Sequence, residues 1–150
     1  MKVFISNKVE ATVMLGSKLA KTLVKKDVVC LFGSLGAGKT VLTQGICKGL
    51  KVRDFVNSPS FKIVNEYRGK FPIYHIDLYR LNSTGEISDL GLDEYIYGNG
   101  IAIIEWAEKL GKKNLPKKRF EIYIKISARG GSAFSGTNEN EREIKWQRYP

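Results

Sequence analysis

No stretch of this chain is long and apolar enough to span a membrane, and the N-terminus lacks the long apolar core of a signal peptide. Both absences point to the cytoplasm. Cysteine occurs only twice, at Cys30 and Cys47, and the two show no metal-ligand spacing, so buried thiols are the expectation. The single histidine, His75, is read as a packed or hydrogen-bonded neighbour of other groups rather than a chemical centre. The guanine-reading N-K-x-D motif is missing, which argues against GTP as the preferred ligand. No internal repeat and no interdomain linker is visible. With 150 residues, the chain is expected to form one domain spanning residues 1–150, with little room for a separate substrate domain.

What is present is a phosphate-binding pattern. Gly33-Ser34-Leu35-Gly36-Ala37-Gly38-Lys39-Thr40 fits G-x-x-x-x-G-K-[ST]. In such a loop the glycines let successive backbone N–H groups turn inward around phosphates, Lys39 reaches the β- and γ-phosphates, and the Thr40 hydroxyl ligates Mg²⁺. The flanks agree. Asp27-Val28-Val29-Cys30-Leu31-Phe32 reads as a parallel strand buried on both faces. Val41, Leu42, Ile46, Cys47 and Leu50 recur at helical spacing after the loop, placing the phosphates at a helix N-terminus. An ordinary glycine-rich turn would not predict this strand-loop-helix context.

The rest of the chain supplies an α/β frame. Lys2 to Ser6 alternates as a short strand, and Asn7 with Glu10 reads as a capping box opening a helix that runs to about Val24-Lys25-Lys26. Phe61, Ile63 and Tyr67, then Pro72 to Arg80, alternate on either side of Arg68-Gly69-Lys70 and predict an antiparallel hairpin. On its second arm His75 and Asp77 project together, away from Tyr74, Ile76 and Leu78. Ser83 and Glu86 predict a capped short helix, and Gly91 to Ile96 a second helical turn. Ile101 to Ile104 is a second wholly apolar run, ending in Glu105-Trp106. Phe120, Ile122, Ile124 and Ile126 alternate as a strand with one buried face, and Glu143 to Tyr149 could pair with it. Ser127 to Asn140, rich in Gly and Ser, is expected to be mobile. These elements predict a compact α/β P-loop NTPase: a mostly parallel sheet flanked by helices, with an antiparallel hairpin and a C-terminal antiparallel strand.

A P-loop site needs an acid at the end of a neighbouring buried strand. Glu105 fits, to bind metal or polarise water, against the alternative of a surface glutamate closing a strand. Asp77, late in its strand, is a second candidate, against an aspartate that merely starts a turn. Trp106 is read as core or as a stacking surface. Arg129 and Arg142 flank the Gly/Ser-rich segment and are candidates for a charge-stabilising finger, with solvation the default. The formal net charge of +10 suits an acidic partner such as RNA, and suits a solvated lysine-rich surface as well.

Together these motifs resemble the TsaE (YjeE) family, bacterial ATPases required to make N6-threonylcarbamoyladenosine (t6A) at tRNA position 37. Glu10-Ala11-Thr12 with Leu15-Gly16 is similar to the family's first helix, and Leu35 to Thr40 to its P-loop. Asn57-Ser58-Pro59-Ser60-Phe61 resembles its S-P-T-[FY] segment, and Tyr74-His75-Ile76-Asp77-Leu78-Tyr79-Arg80 its Y-H-x-D-[LV]-Y-R. Gly91-Leu92-Asp93-Glu94-Tyr95 and Ile104-Glu105-Trp106 follow in order. Ser34 departs from the acid the family commonly carries after the first P-loop glycine, and beyond Ala128 the resemblance fades. The resemblance implies that Leu35, Gly36, Ala37, Gly38, Lys39 and Thr40 hold ATP phosphates and that Thr40 and Glu105 ligate Mg²⁺. It further implies that Asp77 is needed for hydrolysis, that Trp106 is functionally sensitive, and that Ser58 to Phe61 forms a nucleotide-responsive switch. It implies a partnership with the TsaB–TsaD complex and an ATPase cycle that supports tRNA modification without transferring the threonylcarbamoyl group.

The main rival is a small-molecule or nucleoside kinase, which would need an acceptor pocket and a lid, for which Arg129 to Thr137 is the available stretch. A GTPase-like switch and an RNA-binding protein with a vestigial P-loop are further rivals. The missing N-K-x-D opposes the first of these, and the intact Lys39-Thr40 with Asp77 and Glu105 opposes the second.

Overall fold

Two all-apolar segments sit side by side at the centre of the molecule. In this computed structural model, which describes residues 1–127 and 141–150, β2 (Val28–Phe32) and β5 (Ile101–Glu105) pair in parallel. Both faces of each are covered, which is why neither alternates with polar residues. β4 (Pro72–Asp77) lies parallel to β5 on one side, and β6 (Arg119–Ile126) parallel to β2 on the other. The antiparallel arms follow: β3 (Val64–Arg68) pairs with β4, β7 (Arg142–Tyr149) with β6, and β1 (Lys2–Ser6) with β7. The seven strands run in the order β1-β7-β6-β2-β5-β4-β3.

Helices α1 (Val9–Ala20) and α2 (Lys39–Gly49) cover one face over a core that includes Leu15, Leu19, Leu31, Leu42, Ile46, Ile73, Ile103 and Ile122. Short helices α3 (Thr84–Asp89) and α4 (Asp93–Ile96), with the 3₁₀ turn Ala107–Leu110, cover the other around Cys30, Ile76, Leu78 and Ile104. α1 and α2 meet through glycine. A Cβ on Gly45 would lie 2.3 Å from the Val13 carbonyl oxygen, and one on Gly16 would lie 2.7 Å from that of Leu42. Both cysteines are buried, and burial pushes each thiol up to about 12.

The mostly parallel sheet, the hairpin and the C-terminal antiparallel strand are as the sequence predicts, but several boundaries differ. The capping box expected at Asn7 is not how α1 begins. Lys8 is the N-cap and makes no side-chain cap bond, while the Ser6 hydroxyl donates to the Lys8 carbonyl and shares a hydrogen bond with Thr12. α1 stops at Ala20, short of Lys26, because the chain must reverse into β2. Lys26 takes a left-handed backbone, and the buried Asp27 carboxylate accepts from Val24 N–H and from Arg148. The hairpin's first arm starts at Val64 instead of Phe61, since Ile63 sits at φ 70° in a turn that leaves Phe61 exposed. Its second arm ends at Asp77 instead of Arg80: Asp77 Oδ1 accepts from Tyr79 N–H and bends the backbone away. The Ser83 cap forms, with Glu86 N–H donating to Ser83 Oγ, while the Glu86 carboxylate reaches one residue further back and accepts from Asn82 N–H. Most of the Gly/Ser-rich segment, Arg129 included, lies outside the described residues.

Candidate functional site

The carboxyl ends of β2, β5 and β4 open on the same edge of the sheet, where α/β proteins gather their ligands. The loop leaving β2 wraps onto α2, whose first residue is Lys39. Gly38 takes φ 112°, a left-handed conformation that a side chain would strain, and so turns the loop into the helix. Ser34, Leu35 and Gly36 are exposed, while Ala37 and Lys39 are buried. The loop thus presents backbone outward at the positive end of the α2 dipole.

Lys39 folds back over its own loop. Its ammonium donates to the Gly33 carbonyl and, at 2.9 Å, to that of Ser34, and it lies 4.0 Å from the Trp106 ring centre. Burial pulls this ammonium below the ordinary lysine range, and the nearby carboxylates of Glu105, Glu108 and Asp77 oppose that shift only in part. Trp106 holds its place with a left-handed backbone, φ 60°, and its ring also packs on Tyr79. Its contact with Lys39 gives this aromatic more than the core role open to it in the sequence.

Thr40, the next residue, donates from Oγ1 to both carboxylate oxygens of Glu105, at 3.1 Å each. Glu105 is buried, and its Oε1 also lies 2.8 Å from His75 Nε2. His75 is fully buried, and among the described residues its Nδ1 has no hydrogen-bond partner. A proton on Nδ1 would be buried with no acceptor, at a cost of about 1–3 kcal/mol. The ring therefore carries its proton on Nε2 and donates it to Glu105.

Asp77 pairs in register with Glu105 across β4 and β5, but its carboxylate faces a different partner. Oδ2 accepts from Ser58 Oγ at 2.6 Å, and Ser58 lies 2.9 Å from Ser60 Oγ. The Ser58–Phe61 segment is thereby tied to the end of β4. The same stretch is held at Asn57, whose carbonyl accepts from the Tyr67 hydroxyl. Arg142, from the start of β7, reaches the P-loop: it donates to the carbonyls of Ala37 at 2.9 Å and Gly36 at 3.3 Å. Neither the His75–Glu105 contact nor the Arg142 strut is signalled by a motif. Each joins residues far apart in the chain, and only the strand register brings them together.

Lys39, Thr40 and Glu105 thus converge directly, Trp106 caps Lys39, and Asp77 sits one strand away. Among the described residues no three His, Cys, Asp or Glu side chains group closely enough to hold a metal by themselves. The donors at hand, a threonine hydroxyl and carboxylate oxygens, are hard. That set fits Mg²⁺, which keeps most of its shell as water and phosphate and takes one or two protein ligands. The large concavity of about 810 Å³ between α1 and the β1–β7 margin is remote from these groups and lined by residues such as Phe4, Met14 and Trp146. No helix among the described residues is long and apolar enough to cross a membrane.

Known proteins resemble this chain in sequence and in fold. Residues 6–133 match the family model described as threonylcarbamoyl adenosine biosynthesis protein TsaE. The tRNA threonylcarbamoyladenosine biosynthesis protein TsaE of Bacillus subtilis is 44% identical over 130 residues, 85% of this chain and 74% of that protein. The Treponema pallidum protein of the same name is 34% identical over 126 residues, 84% of this chain and 93% of its own. The crystal structure of Bacillus subtilis YdiB superposes with a TM-score of 0.73 at 35% identity, covering 99% of this chain and 84% of that one. With the family model spanning most of the chain and relatives this similar over most of their lengths, the chain belongs to the TsaE family.

Proposed function

We propose that this protein binds and hydrolyses Mg–ATP in the cytoplasm and that this cycle supports formation of threonylcarbamoyladenosine at tRNA position 37, in company with the TsaB–TsaD complex. The observation that carries the reading is the convergence of Lys39, Thr40 and Glu105 at the N-terminus of α2. The pathway comes from the names of its relatives.

In this reading Lys39 leaves the Gly33 and Ser34 carbonyls for the β- and γ-phosphates, and the amides of Leu35 to Thr40 take the remaining phosphate oxygens. Mg²⁺, when bound, would neutralise charge between the β- and γ-phosphates, with Thr40 and Glu105 as its protein ligands. Thr40 exchanges its bond to Glu105 for that role. Asp77 orients the attacking water, and Ser58 reports its state to the 58–61 segment. Main-chain amides and Lys39 absorb charge as the γ-phosphoryl transfers to water. Trp106 keeps Lys39 from straying into solvent through a contact worth about 0.5–2 kcal/mol.

Phosphate release from Mg–ATP, measured on the protein alone and then with TsaB–TsaD, tests this. Slow release alone, stimulation by the complex, and a loss of at least about 100-fold in Glu105→Ala are expected. Tight ATP binding with no release under either condition would move a kinase ahead.

A further inference from the structure

We propose that His75 is a positioning residue for Glu105: its Nε2–H anchors carboxylate oxygen Oε1 and so turns Oε2 toward the metal–phosphate position. The inference rests on the Mg–ATP reading above for what Oε2 meets.

Glu105 is buried, and among the described residues the side-chain hydrogen bonds to it come from Thr40, Thr43 and His75. Thr43 approaches Oε1 only to 3.5 Å, and its hydroxyl is better placed on the Lys39 carbonyl at 2.9 Å. Thr40 holds both oxygens at 3.1 Å, but this is the hydroxyl that must turn to a metal. Once it does, the 2.8 Å bond from His75 is the close one that remains. A carboxylate that loses its orienting donor at the moment of metal binding would rotate, and groups behind a ligand commonly set its affinity.

His75 suits this task because it cannot move. It sits in β4 in register with Ile103, two residue pairs behind Asp77 and Glu105, and is fully buried, with the Tyr67 ring 6.1 Å away. Its unpartnered Nδ1 leaves Nε2 as the donor, so the ring points one way only. The sequence expectation of a packed neighbour thus holds, with a direction added to it.

Two measurements test the proposal. His75 is the sole histidine, so the ring nitrogens of the ¹⁵N-labelled protein are assigned without ambiguity. The protonated nitrogen should be Nε2; a spectrum with the proton on Nδ1 overturns the proposal. Second, binding of a non-hydrolysable ATP analogue is titrated with Mg²⁺ in the wild type, His75→Phe and His75→Gln. His75→Phe fills the site without a donor and should raise the half-saturating Mg²⁺ about 10-fold or more. His75→Gln returns an amide N–H and should stay within about 3-fold of wild type, with Mg-free nucleotide affinity unchanged in both. Equal Mg²⁺ dependence in all three proteins, or equal loss in both variants, overturns the proposal. Wild-type binding indifferent to Mg²⁺ would instead end the Mg–ATP reading, and the ring spectrum, which needs no ligand, would still decide whether His75 donates to Glu105.

Discussion

Among the described residues, buried Lys39 is bonded to neutral carbonyls and an aromatic face, a poor exchange for an ammonium's water shell. That is the physical cause of its lowered pKa, from an ordinary value of 10.5. Phosphates favour the charged form, so binding ATP must raise the pKa again, and the two states differ in proton affinity. The sign follows. Affinity is full while the free protein keeps Lys39 protonated, and it falls as pH rises between the lowered free value and the raised bound one. ATP affinity should therefore weaken at a pH below the ordinary lysine range, as equilibrium binding across alkaline pH would record. Lys39→Ala should bind weakly and lose this dependence; a wild-type profile that stays flat until the ordinary lysine range would refute the account. Lys39, Thr40 and Glu105 were legible from the chain because a fixed spacing or an apolar run points at each. The partner of His75 was not, since residues 75 and 105 meet only through a parallel register that no local pattern encodes.

At the scale of elements, the P-loop helix is held in place by α1. The two helices approach so closely that Gly45 lies under the Val13 carbonyl and Gly16 under that of Leu42. Gly45→Ala should gain helix propensity of up to about 1 kcal/mol. It would also force a methyl to 2.3 Å from a backbone oxygen that cannot swing aside. Overpacking of this kind costs about 1–3 kcal/mol, so the clash wins. Thermal unfolding should show a midpoint lowered by several degrees. An unchanged or raised midpoint would mean the helices can separate at no cost. The existence of α1 and α2 was readable from apolar periodicity, as was the Ser83–Glu86 cap. Their ends were less so. Asn7 and Glu10 satisfy the capping pattern, yet the buried Ser6–Thr12 hydrogen bond sets how the chain enters the helix. At the hairpin, alternation at Phe61 and Ile63 mimicked a strand that the turn back from Pro59 forbids, with Ile63 N–H bonded to the Pro59 carbonyl.

Across the whole molecule, the sheet order was the part least visible in the sequence. A strand after the second apolar run could sit at an edge. β6 instead inserts beside β2, which lets β7 and β1 extend the sheet behind the P-loop. That placement brings Arg142 to the loop. Its backbone lies where β1, β6 and β7 meet, paired with Ser6 on one side and Ile126 on the other, while its guanidinium holds the Gly36 and Ala37 carbonyls. Carbonyls held by the guanidinium leave the amides of the same peptides facing the opposite way, open to a phosphate. Arg142 thus touches the loop's own carbonyls, and the sequence offers it as a candidate charge-stabilising finger. Charge-assisted bonds of this type contribute about 1.5–3 kcal/mol when dry, and about 1 kcal/mol where water can replace the donor, as it can at this half-buried side chain. Arg142→Ala should accordingly weaken ATP binding about 5-fold. Lys145→Ala, three residues along the same strand and paired with Glu143, should leave it unchanged. Calorimetric titration of both variants decides the point. Equal affinities would mean that the loop keeps its shape unaided and that the C-terminal strands contribute only to the sheet.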